Sequence, residues 1–155
     1  MTGTAAPAAA PVEVRGNDRV GRHVVATRAI AAGEVVASIG GARRVPVATR
    51  YTVQIGATEH IDGLEEFTCL NHSCAPNVVI ETTALEIKAL HDIAAGTELT
   101  YFYPSTEWHM AEPFECHCGA LKCLGLINGA ATLSAEVLSQ YVVNEHIAAL
   151  SGAAR

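Results

Sequence analysis

Four cysteines carry the plainest chemistry in this 155-residue chain. Cys116, Cys118 and Cys123 form a Cys-x-Cys-x4-Cys run, and Cys74 lies far earlier, in Asn71-His72-Ser73-Cys74-Ala75-Pro76-Asn77. Four thiolates are the ligand set of a closed tetrahedral zinc site. The two stretches meet only if the chain folds back on itself, and a bound metal would then staple the tail onto the middle of the molecule. Disulfides suit the pattern poorly. The count of five cysteines is odd, Cys116 and Cys118 are too close for both to be bridged, and no secretory leader is seen. An oxidising compartment is therefore not implied, and a cytoplasmic location is expected. Reduced, metal-free buried thiols are the alternative. The spacing favours one zinc per chain, with Cys69 left over as an ordinary buried thiol.

The second group is aromatic. Tyr101 and Tyr103 are two residues apart in Gly96-Thr97-Glu98-Leu99-Thr100-Tyr101-Phe102-Tyr103, so a strand would place both hydroxyls on one face. Glu107, Trp108 and His109 follow in a proline-containing loop. Trp108 is the chain's only tryptophan, either a substrate-contacting aromatic or packing between loop and tail.

Short strands must position these groups. β-branched runs and turn residues predict strands at 12–15, 21–30, 35–39, 51–55, 59–61 and 99–103, with a hairpin of 77–81 and 84–90 across Thr82-Thr83. Gly33 and Gly96 sit in similar phrases, Ala-Ile-Ala-Ala-Gly-Glu and Asp-Ile-Ala-Ala-Gly-Thr-Glu, read as two similar turns. One helix is predicted, over 132–150, capped by Ser134 and carrying an apolar stripe of Leu133, Val137, Leu138, Tyr141, Val142 and Ile147. It covers the sheet or packs against a second copy as a homodimer. The class is mainly β.

The length allows a single domain with a real core. Residues 1–11, nearly all Ala, Pro, Thr and Gly, read as a disordered leader. No run is apolar enough for a membrane span, and a net charge of −6 argues against a nucleic-acid partner. Arg15, Arg19, Arg22 and Arg28, with Arg43, Arg44 and Arg50, read as a solvated face or as a seat for an anionic cofactor group or an acidic substrate.

Taken in order, Asn71-His72-Ser73-Cys74 with Pro76-Asn77, then residues 96–103, then Phe114-Glu115-Cys116-His117-Cys118-Gly119 with Cys123-Leu124-Gly125, resemble the SET-domain methyltransferases and their cysteine-rich post-SET tail. The likeness spans residues 12–129. It implies several small curved sheets, a threaded, pseudoknot-like C-terminal segment, and a division into 12–112, a zinc segment at 113–129 and a helix and tail at 130–155. It also implies an S-adenosylmethionine-dependent protein-lysine N-methyltransferase. By motif position Tyr103 matches the catalytic tyrosine. Tyr101 matches the position limiting the number of methyl groups, and a tyrosine there favours mono-methylation. Asn71 and His72 match the cofactor's adenine and amine contacts, Tyr51 an aromatic of the cofactor or lysine channel, and Phe114, Leu124 and Leu126 its apolar wall. Gly21, Arg22, His23 and Val24 match a Gly-x-Gly cofactor segment, with His23 where the second glycine is usual. Phe102 replaces a residue often small or polar, and is expected to face a surface or partner. The short stretch between Ile55 and Thr68 shrinks the inset that holds a peptide in larger relatives, which keeps a small-molecule amine, and a non-enzymatic zinc-stapled binding module, as alternatives.

Overall fold

The computed structural model describes residues 9–17 and 21–153, so most of the expected leader, and Arg19, lie outside the described residues. Four small sheets make up the β structure. The first carries the site. β1 (Val12–Asn17) pairs antiparallel with β2 (Gly21–Ala26), and Gly16 is required there because a Cβ would meet the Gly21 carbonyl oxygen at 1.9 Å.

The second sheet joins β3 (Val35–Ser38), β9 (Glu86–Ala89) and β8 (Val78–Glu81). The predicted β8–β9 hairpin forms, but its turn runs on to Leu85, which adopts a left-handed φ of 53°. The two similar glycine phrases pair with each other: Ile30 and Ile93 exchange backbone hydrogen bonds of 2.8 Å, locking the first sheet to the second.

In the third sheet, β4 (Arg43–Val45), β6 (His60–Asp62) and β5 (Val53–Gln54), the predicted 51–55 strand shrinks to two residues and an unpredicted one appears at β4. Arg43 and Arg44 there face Asp62 at 3.1 Å and Glu59 at 2.8 Å, exposed pairs worth at most about 1 kcal/mol each.

In the first sheet, β10 (Glu98–Tyr101) lies antiparallel to β2, and β7 (Asn71–His72) runs parallel to β10. Leu99 and Tyr101 face the core while Glu98 and Thr100 are half-exposed, the alternation a one-sided strand demands. The fourth sheet, β11 (Phe114–Glu115) with β12 (Leu126–Ile127), folds the tail back beside it.

The predicted helix over 132–150 is instead two, α1 (Ala135–Leu138) and α2 (Glu145–Ala153), with a break at 139–144. Ser134 caps α1 as expected, accepting from Val137 N. The break has a physical cause. Asn144 accepts from Thr82 N at 2.9 Å and donates to Ile80 O and Ser105 O at 2.8 and 2.9 Å, and the Tyr141 ring stacks on Phe102 at 3.6 Å. Those tertiary bonds outweigh one more helical turn in a stretch holding Val142 and Val143. Leu138 and Ile147 pack on Ala130 and Trp108 of the same chain, so the stripe is used internally, and Val142 lies off it, 57% exposed. Asn144→Ala is expected to cost about 2–4 kcal/mol, because it strands Thr82 N and Ile80 O of β8 and its turn and removes one of the two bonds to Ser105 O. A urea midpoint near the wild-type value would refute this.

Candidate active site

Tyr103 occupies the centre. It lies beyond the end of β10, in a 3-10 turn (Tyr103–Ser105) with Pro104 in its second position, not in the strand. Leaving the strand lets Tyr103 and Tyr101 approach with ring centroids 4.6 Å apart, closer than a shared strand face requires. The Tyr103 hydroxyl donates to Leu70 O at 2.6 Å. Burial pushes its pKa up to about 12, and that of Tyr101, fully enclosed, well above the usual phenol range. Both phenols keep their protons at neutral pH.

His72 packs edge-on against Tyr103 and Phe114, with centroids 5.3 and 5.8 Å away. Its Nδ1 accepts from Tyr103 N at 3.1 Å, which assigns the hydrogen to Nε2, 3.3 Å from Cys74 Sγ. Burial lowers its pKa to about 4, so the ring is neutral. Next to it, the Asn71 amide donates to Arg22 O at 3.2 Å and Glu98 Oε2 at 3.1 Å, tying β7 to β2. Phe102 corrects its expected role: it is 2% exposed beneath Tyr141, whose hydroxyl donates to Cys74 O at 2.8 Å.

Two unequal cavities meet at Tyr103. The wide one, about 720 Å³, is lined by Gly21, Arg22, Asn71 and Glu65, a size usual for small-molecule sites. The narrow one, about 30 Å³, runs past Phe67, Tyr101, Glu107 and Met110. Arg50, Tyr51, Thr68, Leu70 and Tyr103 border both. A further open groove continues along Asn71 and His72 to Phe114 and Cys118.

The expected cofactor residues divide accordingly. Gly21, Arg22, Tyr51, Asn71, His72 and Tyr103 line the wide cavity or the groove. Val24 does not: it is fully buried in the core. His23, half-buried opposite Arg15, and Leu126, 57% exposed, also border neither. Trp108 packs against Leu138 and Ile147 rather than at a cavity. Cys69, expected as an ordinary buried thiol, is only half-buried and borders the wide cavity.

Sequence reasoning gave no role to Glu107 and left Arg50 within a general basic cluster. Only folding brings them to the Tyr103 junction, and no local pattern marks either.

The sulfurs of Cys74, Cys116, Cys118 and Cys123 all lie within 4.8 Å of one another. Leu124 N donates to Cys74 Sγ at 3.4 Å, a bond that suits a thiolate. Burial raises the Cys74 and Cys116 thiols; Cys118 is lowered, because donors from the backbone and from neighbouring thiols outweigh its own burial. One proton thus leaves the cluster readily, and the set fits a tetrahedral zinc. His117 lies outside it, its side chain 85% exposed.

The SET domain family matches residues 21–104. Methyltransferase flvH of Aspergillus flavus is 40% identical over 121 residues, covering 77% of this chain and 68% of that protein. Histone-lysine N-methyltransferase ASHH1 of Arabidopsis thaliana is 33% identical over 86 residues, 50% of this chain but only 17% of its own length. Among solved structures, KRYPTONITE in complex with mCHG DNA and SAH superposes with a TM-score of 0.61 at 27% identity, covering 76% of this chain and 29% of that one.

Proposed function

The chain belongs to the SET-domain family and is an S-adenosylmethionine-dependent methyltransferase, and from that premise we propose that it methylates the side-chain amine of a protein lysine, once. The observation that carries this reading is the pair of unequal cavities joined at Tyr103. The wide cavity has the size for the methyl donor, with Arg22 and Arg50 for its carboxylate and the left-handed Gly21 leaving its rim open. The narrow cavity, at about 30 Å³, holds the volume of about one water, so it has space for the amine end of an alkyl chain, and the chain behind it would enter only as the surrounding rings part. S-adenosylmethionine, when bound, supplies a methyl group on a cationic sulfur.

The residues around the junction do the rest. A lysine ammonium must lose a proton to become a nucleophile, which costs about 4–5 kcal/mol at pH 7 from its pKa near 10.4. Tyr101, Phe67 and Leu70 strip water from the amine, and desolvation favours its neutral form. Tyr103, its hydroxyl hydrogen bonded to Leu70 O, presents oxygen lone pairs that aim the nitrogen. Phe114 and His72 close the site toward the tail. Cys74, Cys116, Cys118 and Cys123 would hold a zinc that pins this tail as a wall.

Tyr101 sits where a second methyl group would need space, 6% exposed beside Tyr103. Tyr101→Phe is expected to shift the product toward di- and trimethyl-lysine, read by intact-mass spectrometry. An unchanged product ratio removes Tyr101 from that role. A small free amine is the second reading. The chain between β5 and Leu70 makes only β6 and a five-residue 3-10 turn, little wall for a peptide. Incubation with labelled methyl donor and a panel of proteins and free alkylamines separates the two, and label in neither class defeats both.

A further inference from the structure

The narrow cavity contains one carboxylate, and the alignment chemistry above leaves it unused. Glu107 lies four residues beyond Tyr103 and is 6% exposed, yet borders the cavity alongside Tyr101 and Tyr103. It forms no ion pair with a neighbouring side chain among the described residues. Its Oε2 accepts from Gln54 N at 2.9 Å, and Gln54 Oε1 accepts in return from Trp108 N at 2.9 Å, so β5 fixes the carboxylate's orientation. A carboxylate has about four acceptor positions. The Gln54 bond and a contact to Thr106 leave others open to whatever enters the cavity.

We propose that Glu107 is the proton acceptor for the incoming ammonium, a proposal that rests on the amine reading of the narrow cavity. The carboxylate takes one of the three ammonium protons and becomes a neutral acid. The amine keeps the electron pair of the broken N–H bond and is then the neutral nucleophile. Glu107 afterwards passes the proton to water when the cavity opens.

The neighbours leave Glu107 this role. Tyr101, from β10, and Tyr103, from the turn, are neutral phenols that burial holds well above neutral pH. Arg50 brings a guanidinium, a donor with no acceptor capacity, to the cavity from the segment before β5. His146, from α2, bonds Thr106 O at 2.8 Å, and burial lowers its pKa, as it lowers that of His60 on β6. Burial pushes the Glu107 carboxyl the other way, up to about 7, while the Gln54 amide holds it down. An acceptor near neutrality is ionised often enough to take a proton and basic enough to keep it during transfer.

The test uses the full chain with n-butylamine as the probe of the narrow cavity, S-adenosylhomocysteine being present. Amine binding is expected to add a protonated-carboxyl stretch to the infrared difference spectrum of the wild type, absent in Glu107→Gln. With S-adenosylmethionine instead, kcat/KM of the wild type should rise with pH through about 7. In Glu107→Gln it should fall on the order of 10²-fold at neutral pH, with the rising limb moved toward the amine's own pKa. Glutamine can still accept from Gln54 N, so a merely structural role would lower activity without moving that limb. Should Glu107→Gln fail to fold, Glu107→Asp replaces it and must shift the infrared band. An unmoved band, or a Glu107→Gln pH profile coinciding with the wild type, overturns the proposal. If no amine is methylated, the reading of the narrow cavity as an amine-substrate site fails, while the infrared result on n-butylamine still decides whether Glu107 takes the proton.

Discussion

Tyr103→Phe is expected to reduce methyl transfer at least ~10²-fold while leaving the fold in place. The hydroxyl lies where the two cavities join and is oriented by a single bond, to Leu70 O. Removing it leaves the ring contacts with Tyr101, His72 and Phe114 intact, so the lost bond costs only about 1 kcal/mol of stability. The reaction loses more, because the amine nitrogen is no longer aimed and small misplacements cost rate steeply. Burial keeps the Tyr103 phenol protonated up to about pH 12, so its part is to aim rather than to act as a base. Kinetics on purified Tyr103→Phe, with a thermal melt as control, check this. More than a third of wild-type activity in a folded variant would remove Tyr103 from the chemistry.

Loss of the metal should be as severe by a different route. Cys118→Ser, or prolonged chelation, is expected to abolish turnover and free the tail while sparing the three N-terminal sheets. Structural zinc sites in small peptides contribute roughly 10–16 kcal/mol of apparent binding energy, and here that energy would hold two-residue strands. β11 and β12 have little else, since Phe114 and Ile127 are their main apolar contacts to the Cys74 region. Amide exchange should rise across 114–127 and stay slow in β2, β8 and β9. Elemental analysis should find one zinc per chain. Active, reduced protein without zinc would defeat the prediction.

The C-terminal segment adds a second restraint, one that does not depend on metal. Tyr141 reaches Cys74 O and covers Phe102, while Asn144 and His146 grip Ser105 O and Thr106 O. The turn that holds Tyr103 is thus fastened from behind by the chain's last elements. Asn144→Ala should therefore loosen the site as well as the fold.

Sequence alone settled the mainly β class, the family and the four-cysteine grouping, because each rests on residue types at short, fixed spacings. It also settled the β8–β9 hairpin and the cap at Ser134. The single long helix could not be foreseen as two, since the bonds that break it join Asn144 to residues far away in the chain. Phe102 could not be placed either: its burial depends on a ring from residue 141. Val24 does not border the wide cavity because β2 is buried throughout Val24–Ala26, paired on one side with β1 and on the other with β10, and no local pattern shows that enclosure. Glu107 and Arg50 became site residues through tertiary structure alone. A carboxylate and a guanidinium look like ordinary surface groups until the fold removes water from the first and sets the second at the meeting point of two cavities.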